Sequence, residues 1–198
     1  MEKSSAGRRV CVYCASSRSS DRAYRDAAYR LGVLLADRGI TIVYGGGRAG
    51  SMGALADGAL ERGGRIEGVL PRFMQELEWG HDGLSELTLV EDLRVRKHLM
   101  LSESDAVVAL PGGSGTFEEL FEAISLKRLG LFLGPIVLVN TSRFFDPLVE
   151  LLERAIAERF MGERHRAIWQ VVETPEDVLQ AFAEAPDWSV EARNFAML

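Results

Sequence analysis

Cysteine is nearly absent, with two among 198 residues, and histidine is held to three. That scarcity excludes a disulfide-framed fold. Cys11 and Cys14 stand in a Cys-x-x-Cys spacing, but no second pair completes a zinc site. They fall in an apparent strand, whereas a redox thiolate is stabilised at a helix start, so they read as buried strand thiols. No cluster of His, Cys and carboxylates has metal-ligand spacing, and a metal-independent protein is expected. Long apolar runs are missing too, and residues 1–9 carry no apolar stretch of the secretory kind. A cytoplasmic protein without membrane contact is the expectation. Basic excess is also lacking: 23 Lys and Arg against 29 Asp and Glu leave a net charge of -6. A nucleic-acid surface relies on clustered cations and is not expected. One bound phosphate needs only local donors.

What the chain does have is 47% apolar residues at a mean hydropathy of +0.01, enough for one sizeable core. Short β-branched runs at Val10 to Tyr13, Ile40 to Tyr44, Ile66 to Leu70, Leu87 to Val90, Ala106 to Leu110 and Ile136 to Val139 alternate with amphipathic stretches. This alternation predicts an α/β fold, a Rossmann-like doubly wound, mostly parallel sheet with helices on both faces. Between the first two strands Tyr24, Ala27, Ala28, Leu31, Leu34 and Leu35 recur at helical spacing, and Gly39 supplies a C-cap. Further helices are predicted over Met52 to Arg62, Leu93 to Ser102, Thr116 to Leu129 and Pro147 to Phe160. Asp146-Pro147 and Thr174-Pro175 each put an N-capping oxygen before a proline suited to the first helical position. With no repeat or linker, the chain reads as one nucleotide-binding domain over residues 1–198, residues 1–8 forming a disordered tail. Pro71 to Ser85 lacks periodicity and reads as a lid or as a surface loop whose Trp79 packs on the body.

Two glycine-rich junctions each follow a strand and open a helix: Tyr44-Gly45-Gly46-Gly47-Arg48-Ala49-Gly50-Ser51-Met52-Gly53, and Leu110-Pro111-Gly112-Gly113-Ser114-Gly115-Thr116. Ligands of open α/β sheets bind at strand C-terminal ends. Glycine lets backbone N–H groups approach an anion, and the following helix adds unpaired donors and the positive end of its dipole. Gly112, Gly113, Ser114, Gly115 and Thr116 are thus candidates to cradle a phosphate. Gly45, Gly47 and Gly50 also satisfy G-x-G-x-x-G, but after the second strand, and the only acidic candidate near the expected spacing, Glu67, falls inside the third; an NAD-dependent oxidoreductase is disfavoured.

Glu118, Glu119 and Glu122 follow the second junction, and Glu119 and Glu122 share a helix face. Thr116-x-x-Glu119 also has the form of a capping box, and the spacing leaves both roles open. Carboxylates beside an anion site require a protonated group or a cation, which directs attention to Arg96 and Lys97. A guanidinium does not surrender a proton near neutral pH, so Arg96 can orient a carboxylate, bind phosphate or stabilise a leaving group. His81 and His98 are candidates for proton donation by type alone and stay outside the catalytic set.

Taken together, V-C-V-Y-C-A-S-S, V-Y-G-G-G-x-x-G-x-M-G, the Arg96-Lys97 pair and P-G-G-S-G-T-F-E-E resemble the Lonely Guy (LOG) family of cytokinin riboside 5′-monophosphate phosphoribohydrolases, often labelled lysine decarboxylases. The resemblance runs from about Val10 to Phe160. It implies that Arg96 and Glu119 are the catalytic pair, that Gly113, Gly115 and Thr116 surround the phosphate, and that Gly46, Gly47 and Met52 line the same pocket. It further implies a homodimer and no organic cofactor. Ala15, Leu93, Leu126 and Arg128 depart from the family pattern, which directs the substrate expectation toward AMP or another purine monophosphate.

The expected reaction is hydrolysis of a purine nucleoside 5′-monophosphate to free base and ribose 5-phosphate. A carboxylate next to the sugar stabilises oxocarbenium character or activates water, a role given to Glu119. Lys97 joins the phosphate-binding group, and Glu122 is a candidate partner for the ribose hydroxyls. The alternative from another class is a noncatalytic sensor of AMP-like nucleotides or ADP-ribose.

Overall fold

A computed structural model of the chain describes residues 8–77, 79–194 and 196. The tail expected at residues 1–8 lies, apart from Arg8, outside the described residues. Seven strands form one sheet: β1 (Arg9–Tyr13), β2 (Thr41–Tyr44), β3 (Ile66–Pro71), β4 (Glu86–Val90), β5 (Ala106–Ala109), β6 (Ile136–Val139) and β7 (Trp169–Val172). Their order is β4-β3-β2-β1-β5-β6-β7, and every neighbouring pair is parallel, so the mostly parallel sheet that was expected is parallel throughout.

Helices α1 (Arg22–Asp37), α2 (Gly50–Glu61), α3 (Arg72–Glu76), α4 (Leu93–Ser102), α5 (Ser114–Arg128) and α6 (Asp146–Ala157) lie in the crossovers, and α7 (Val178–Glu184) follows the last strand. Alternation along β1 divides the core into two layers. Val10 and Val12 pack with Leu31, Leu35 and Leu55 from α1 and α2, while Cys11 and Tyr13 pack with Leu120 and Leu152 from α5 and α6. Both cysteines are free and buried, as the spacing suggested, and burial pushes their thiols up. Helices α1 and α2 approach backbone to backbone, since a Cβ on Gly32 would stand 2.2 Å from the Leu55 carbonyl oxygen.

Two helix starts differ from the expectation. Asp146 is the first residue of α6, and its carboxylate accepts from Asn140 Nδ2 at 2.8 Å and Arg143 Nε at 2.6 Å instead of capping backbone N–H groups. The Thr174 hydroxyl donates to the Asp177 carboxylate at 2.8 Å, and a 3₁₀ turn over Pro175–Asp177 precedes α7. Helix α6 stops at Ala157, short of Phe160, as Arg159 adopts a φ of 64°. Strand β7 and helix α3 lie outside the elements expected from sequence. Trp169–Val172 is a four-residue edge strand with a half-buried Gln170, too short and too polar for a clear alternation.

Candidate functional site

The sheet order reverses at β1, whose neighbours are β2 and β5. At that switch point the strand C-terminal ends open a crevice. Loops leaving β1, β2 and β5 meet there, and both glycine junctions are among them.

The β5 junction is a helix start. Gly113 is the N-cap of α5 and Ser114 its first residue, so the N–H groups of Ser114, Gly115 and Thr116 have no carbonyl one turn back to receive them. A Cβ added at Gly113 or Gly115 would meet nothing within 4 Å, so the space over this turn is open. Thr116 is buried at the third helical position. The Thr116-x-x-Glu119 capping box is therefore not formed: the cap lies three residues earlier, and Glu119 sits in the body of the helix.

Glu119 is 6% exposed and turns inward toward α4. Asp92 starts α4 by accepting the N–H groups of Arg94 at 2.8 Å and Val95 at 2.9 Å. One turn on, Arg96 is 7% exposed. Its Nε donates to the Val69 carbonyl at 3.0 Å and its Nη2 to the Gly45 carbonyl at 2.8 Å, tying α4 to β3 and to the first glycine junction. The remaining nitrogen, Nη1, is 4.0 Å from Glu119 Oε1. The glycine at 45 is what admits this guanidinium, as a Cβ there would lie 2.0 Å from Nη2. Burial, helped by the nearby Glu118 and Glu122, pushes the Glu119 carboxyl up to about 7 against the pull of Arg96 and Lys97. A carboxyl poised at neutral pH in a cleft suits proton transfer and charge stabilisation.

Lys97 and Glu122 are brought together with each other. The Lys97 ammonium reaches Glu122 at 2.5 Å and also pairs with Glu118, linking α4 to α5. His98 is exposed on α4. His81 anchors instead of facing Glu119: its Nε2 is 3.2 Å from Asp57 Oδ1.

The β2 junction forms one wall of a cavity of about 510 Å³, with Gly45, Gly47, Met52 and Arg96 in the lining. Gly46 takes a φ of 74° behind them and faces Leu70 and Leu87. The other wall is the segment after β3. There the Trp79 carbonyl accepts from Arg48 N–H at 3.0 Å, the Gly46 carbonyl accepts from His81 N–H at 2.9 Å, and Gly47 bridges Gly80 in antiparallel fashion. Trp79 does not pack down on the body; it is 51% exposed and lines the cavity with Met74 and Leu77. These three, with Asp92, are site residues that sequence reasoning missed. The signal was present in Arg72–Glu76, a single helical turn too short to show periodicity.

The family model described as "Possible lysine decarboxylase" matches residues 52–182. Over 192 residues the chain is 37% identical to the cytokinin riboside 5'-monophosphate phosphoribohydrolase LOG of Oryza sativa subsp. japonica, covering 96% of this chain and 78% of that protein. The corresponding LOG2 of Arabidopsis thaliana is 36% identical over 183 residues, 92% of this chain and 86% of that one. Among solved structures, the molybdenum cofactor carrier protein of Chlamydomonas reinhardtii superposes with a TM-score of 0.68 at 20% identity, covering 90% of this chain and 97% of that one. The molybdenum cofactor binding protein of Rippkaea orientalis gives 0.67 at 21%, covering 87% and 93%. At such identities these two share the fold alone.

Proposed function

This chain belongs to the Lonely Guy (LOG) family of phosphoribohydrolases, and we propose that it hydrolyses the N-glycosidic bond of a purine nucleoside 5′-monophosphate, acting as one nucleotide-binding domain. The observation that carries the reading is the buried Arg96–Glu119 pair set between the open first turn of α5 and the cavity. The phosphate docks on the N–H groups of Ser114, Gly115 and Thr116, with Gly112 and Gly113 leaving room for it. The base enters the cavity beside Gly46, Gly47 and Met52, so the scissile bond spans the Arg96–Glu119 pair.

Cleavage leaves the electron pair of the C–N bond on the base and positive charge on the ribose. Glu119 as carboxylate stabilises that charge and takes a proton from the water that attacks the anomeric carbon, and that proton ends on the departing base, which restores the carboxylate. Arg96, fixed by two carbonyls, orients Glu119 and stabilises the departing base. Lys97 and Glu122 hold α4 and α5 at the spacing this requires. Binding energy from the remote phosphate is realised at the reacting bond.

Leu93 and Val95 on α4 and Phe121 on α5 are exposed next to the Lys97 bridge, an apolar surface suited to a homodimer. A cytoplasmic location fits the described helices, none of which is long and apolar enough to cross a membrane. The test is chromatographic release of base from AMP, isopentenyladenosine monophosphate and adenosine. Turnover of the monophosphates with adenosine at least about a hundredfold poorer supports the reading. Equal turnover of AMP and adenosine removes the phosphate's role, and tight AMP binding without turnover favours the sensor.

A further inference from the structure

In a protein of net charge -6, the described residues that line the cavity of about 510 Å³ include three arginines and no carboxylate. Arg96 is accounted for by the Val69 and Gly45 carbonyls. Arg18, from the loop after β1, and Arg48, from the β2 junction, are not. No acceptor among the described residues receives the Arg18 guanidinium. Arg48 Nη1 comes only within 4.0 Å of Asp82, whose side chain is 92% exposed. The Arg48 backbone is nevertheless held in place by its N–H bond to the Trp79 carbonyl. Gly112 to Thr116 do not line this cavity, so its cations lie apart from the phosphate cradle at the head of α5.

We propose that the cavity selects a purine whose substituent is acidic, with Arg18 and Arg48 receiving the carboxylate. The inference takes its reaction, though not its binding, from the phosphoribohydrolase reading. Met52, Leu70, Met74, Leu77 and Trp79 supply apolar walls for the base and for the alkyl part of the substituent. A guanidinium is weakly hydrated and presents a planar fork that matches a carboxylate in two parallel hydrogen bonds. Beside apolar walls such a pairing is less screened than on an open surface. A neutral substituent of similar bulk would contact the same walls and offer Arg18 and Arg48 no anionic acceptor. Recognition thus has two anionic ends, the 5′-phosphate on α5 and the carboxylate at Arg18 and Arg48, with the scissile bond between them.

The test compares N6-succinyl-AMP with AMP and with N6-isopentenyl-AMP, in the wild type and in the double variant Arg18→Gln, Arg48→Gln. The wild type is expected to show a kcat/KM for N6-succinyl-AMP at least about tenfold above that for AMP, and the variant to lose about tenfold or more of that ratio. Because the ratio is internal to each protein, partial unfolding cannot imitate its loss. Equal values for the two nucleotides in the wild type overturn the proposal. So does a variant in which both substrates fall in the same proportion, which would assign the arginines to the phosphate. If no nucleotide releases base, the reaction reading fails, and calorimetric Kd values for the same nucleotides decide the inference separately. Binding of N6-succinyl-AMP tighter by about tenfold, and equalised in the double variant, upholds it; equal Kd values overturn it.

Discussion

Arg96 Nη1 stands 4.0 Å from Glu119 Oε1, and neither side chain is more than 9% exposed. The guanidinium's other nitrogens are fixed to backbone carbonyls, so the cation is oriented whether or not the carboxyl beside it is ionised. The carboxyl therefore titrates next to a fixed charge.

The pH profile of kcat/KM follows from that arrangement. With Glu119 acting as carboxylate and its pKa pushed up to about 7, activity is expected to rise with pH through about 7. Arg96 favours the ionised form, so Arg96→Gln should move the rising limb to higher pH as well as lower its plateau. A limb that stays in place in the variant would remove the coupling.

The same carboxyl sets a pH dependence of stability. Its folded pKa lies above its unfolded value, so the native state holds more protons between about 4.5 and about 7. Wild-type stability is expected to fall across that window, by up to about 3 kcal/mol. Glu119→Gln should lack this fall and lose base release by about a hundredfold or more. Parallel urea titrations at pH 5 and pH 8 read the difference.

Gly45→Ala tests the close approach. Its methyl group would collide with Arg96 Nη2 at 2.0 Å, a position occupied by a buried cation that cannot withdraw without losing two carbonyl partners. A loss of about 2–4 kcal/mol of stability is expected, together with a fall in kcat. Thermal unfolding indistinguishable from wild type would show that the guanidinium has room to move.

Lys127 is 1% exposed near the end of α5, where its ammonium donates to the Gly134 carbonyl at 2.6 Å and lies 5.6 Å from the Trp188 ring centre. Burial lowers its pKa to about 8. The unfolded chain then binds more protons between about 8 and about 10.5, so wild-type stability should rise with pH there, by at most about 3 kcal/mol. Lys127→Met removes the titration, and the difference between the two proteins measured from pH 7 to pH 10.5 should widen in favour of the wild type.

Much of the sheet was legible because its strands are buried on both faces and read as continuous apolar runs, Ala106–Ala109 and Ile136–Val139 most plainly. Both glycine junctions were legible for a related reason: their residues serve backbone geometry, which local sequence records. What escaped depended on packing between distant segments. The spacing of Thr116 and Glu119 is the same for a capping box as for a carboxyl buried against α4, and only the helix start at Ser114 separates them. Trp79 and Met74 reach the cavity because backbone bonds from Arg48 and His81 hold their segment against the β2 junction, a pairing that no periodicity announces.

The partnership of β1 with β5 also fixes an order of assembly. Arg9 N–H donates to the Asp105 carboxylate across 96 residues of chain, and the strands between them line up on the opposite side of β1. During synthesis β1 to β4 can pair while the β5 edge of β1 remains open, carrying Cys11 and Val12 with unpaired backbone groups. The crevice does not exist until the ribosome has delivered α5, and a nascent chain stalled before Ala106 would present a sticky half-sheet with no phosphate cradle. Chaperone demand should therefore concentrate in the interval between the emergence of β1 and that of β5.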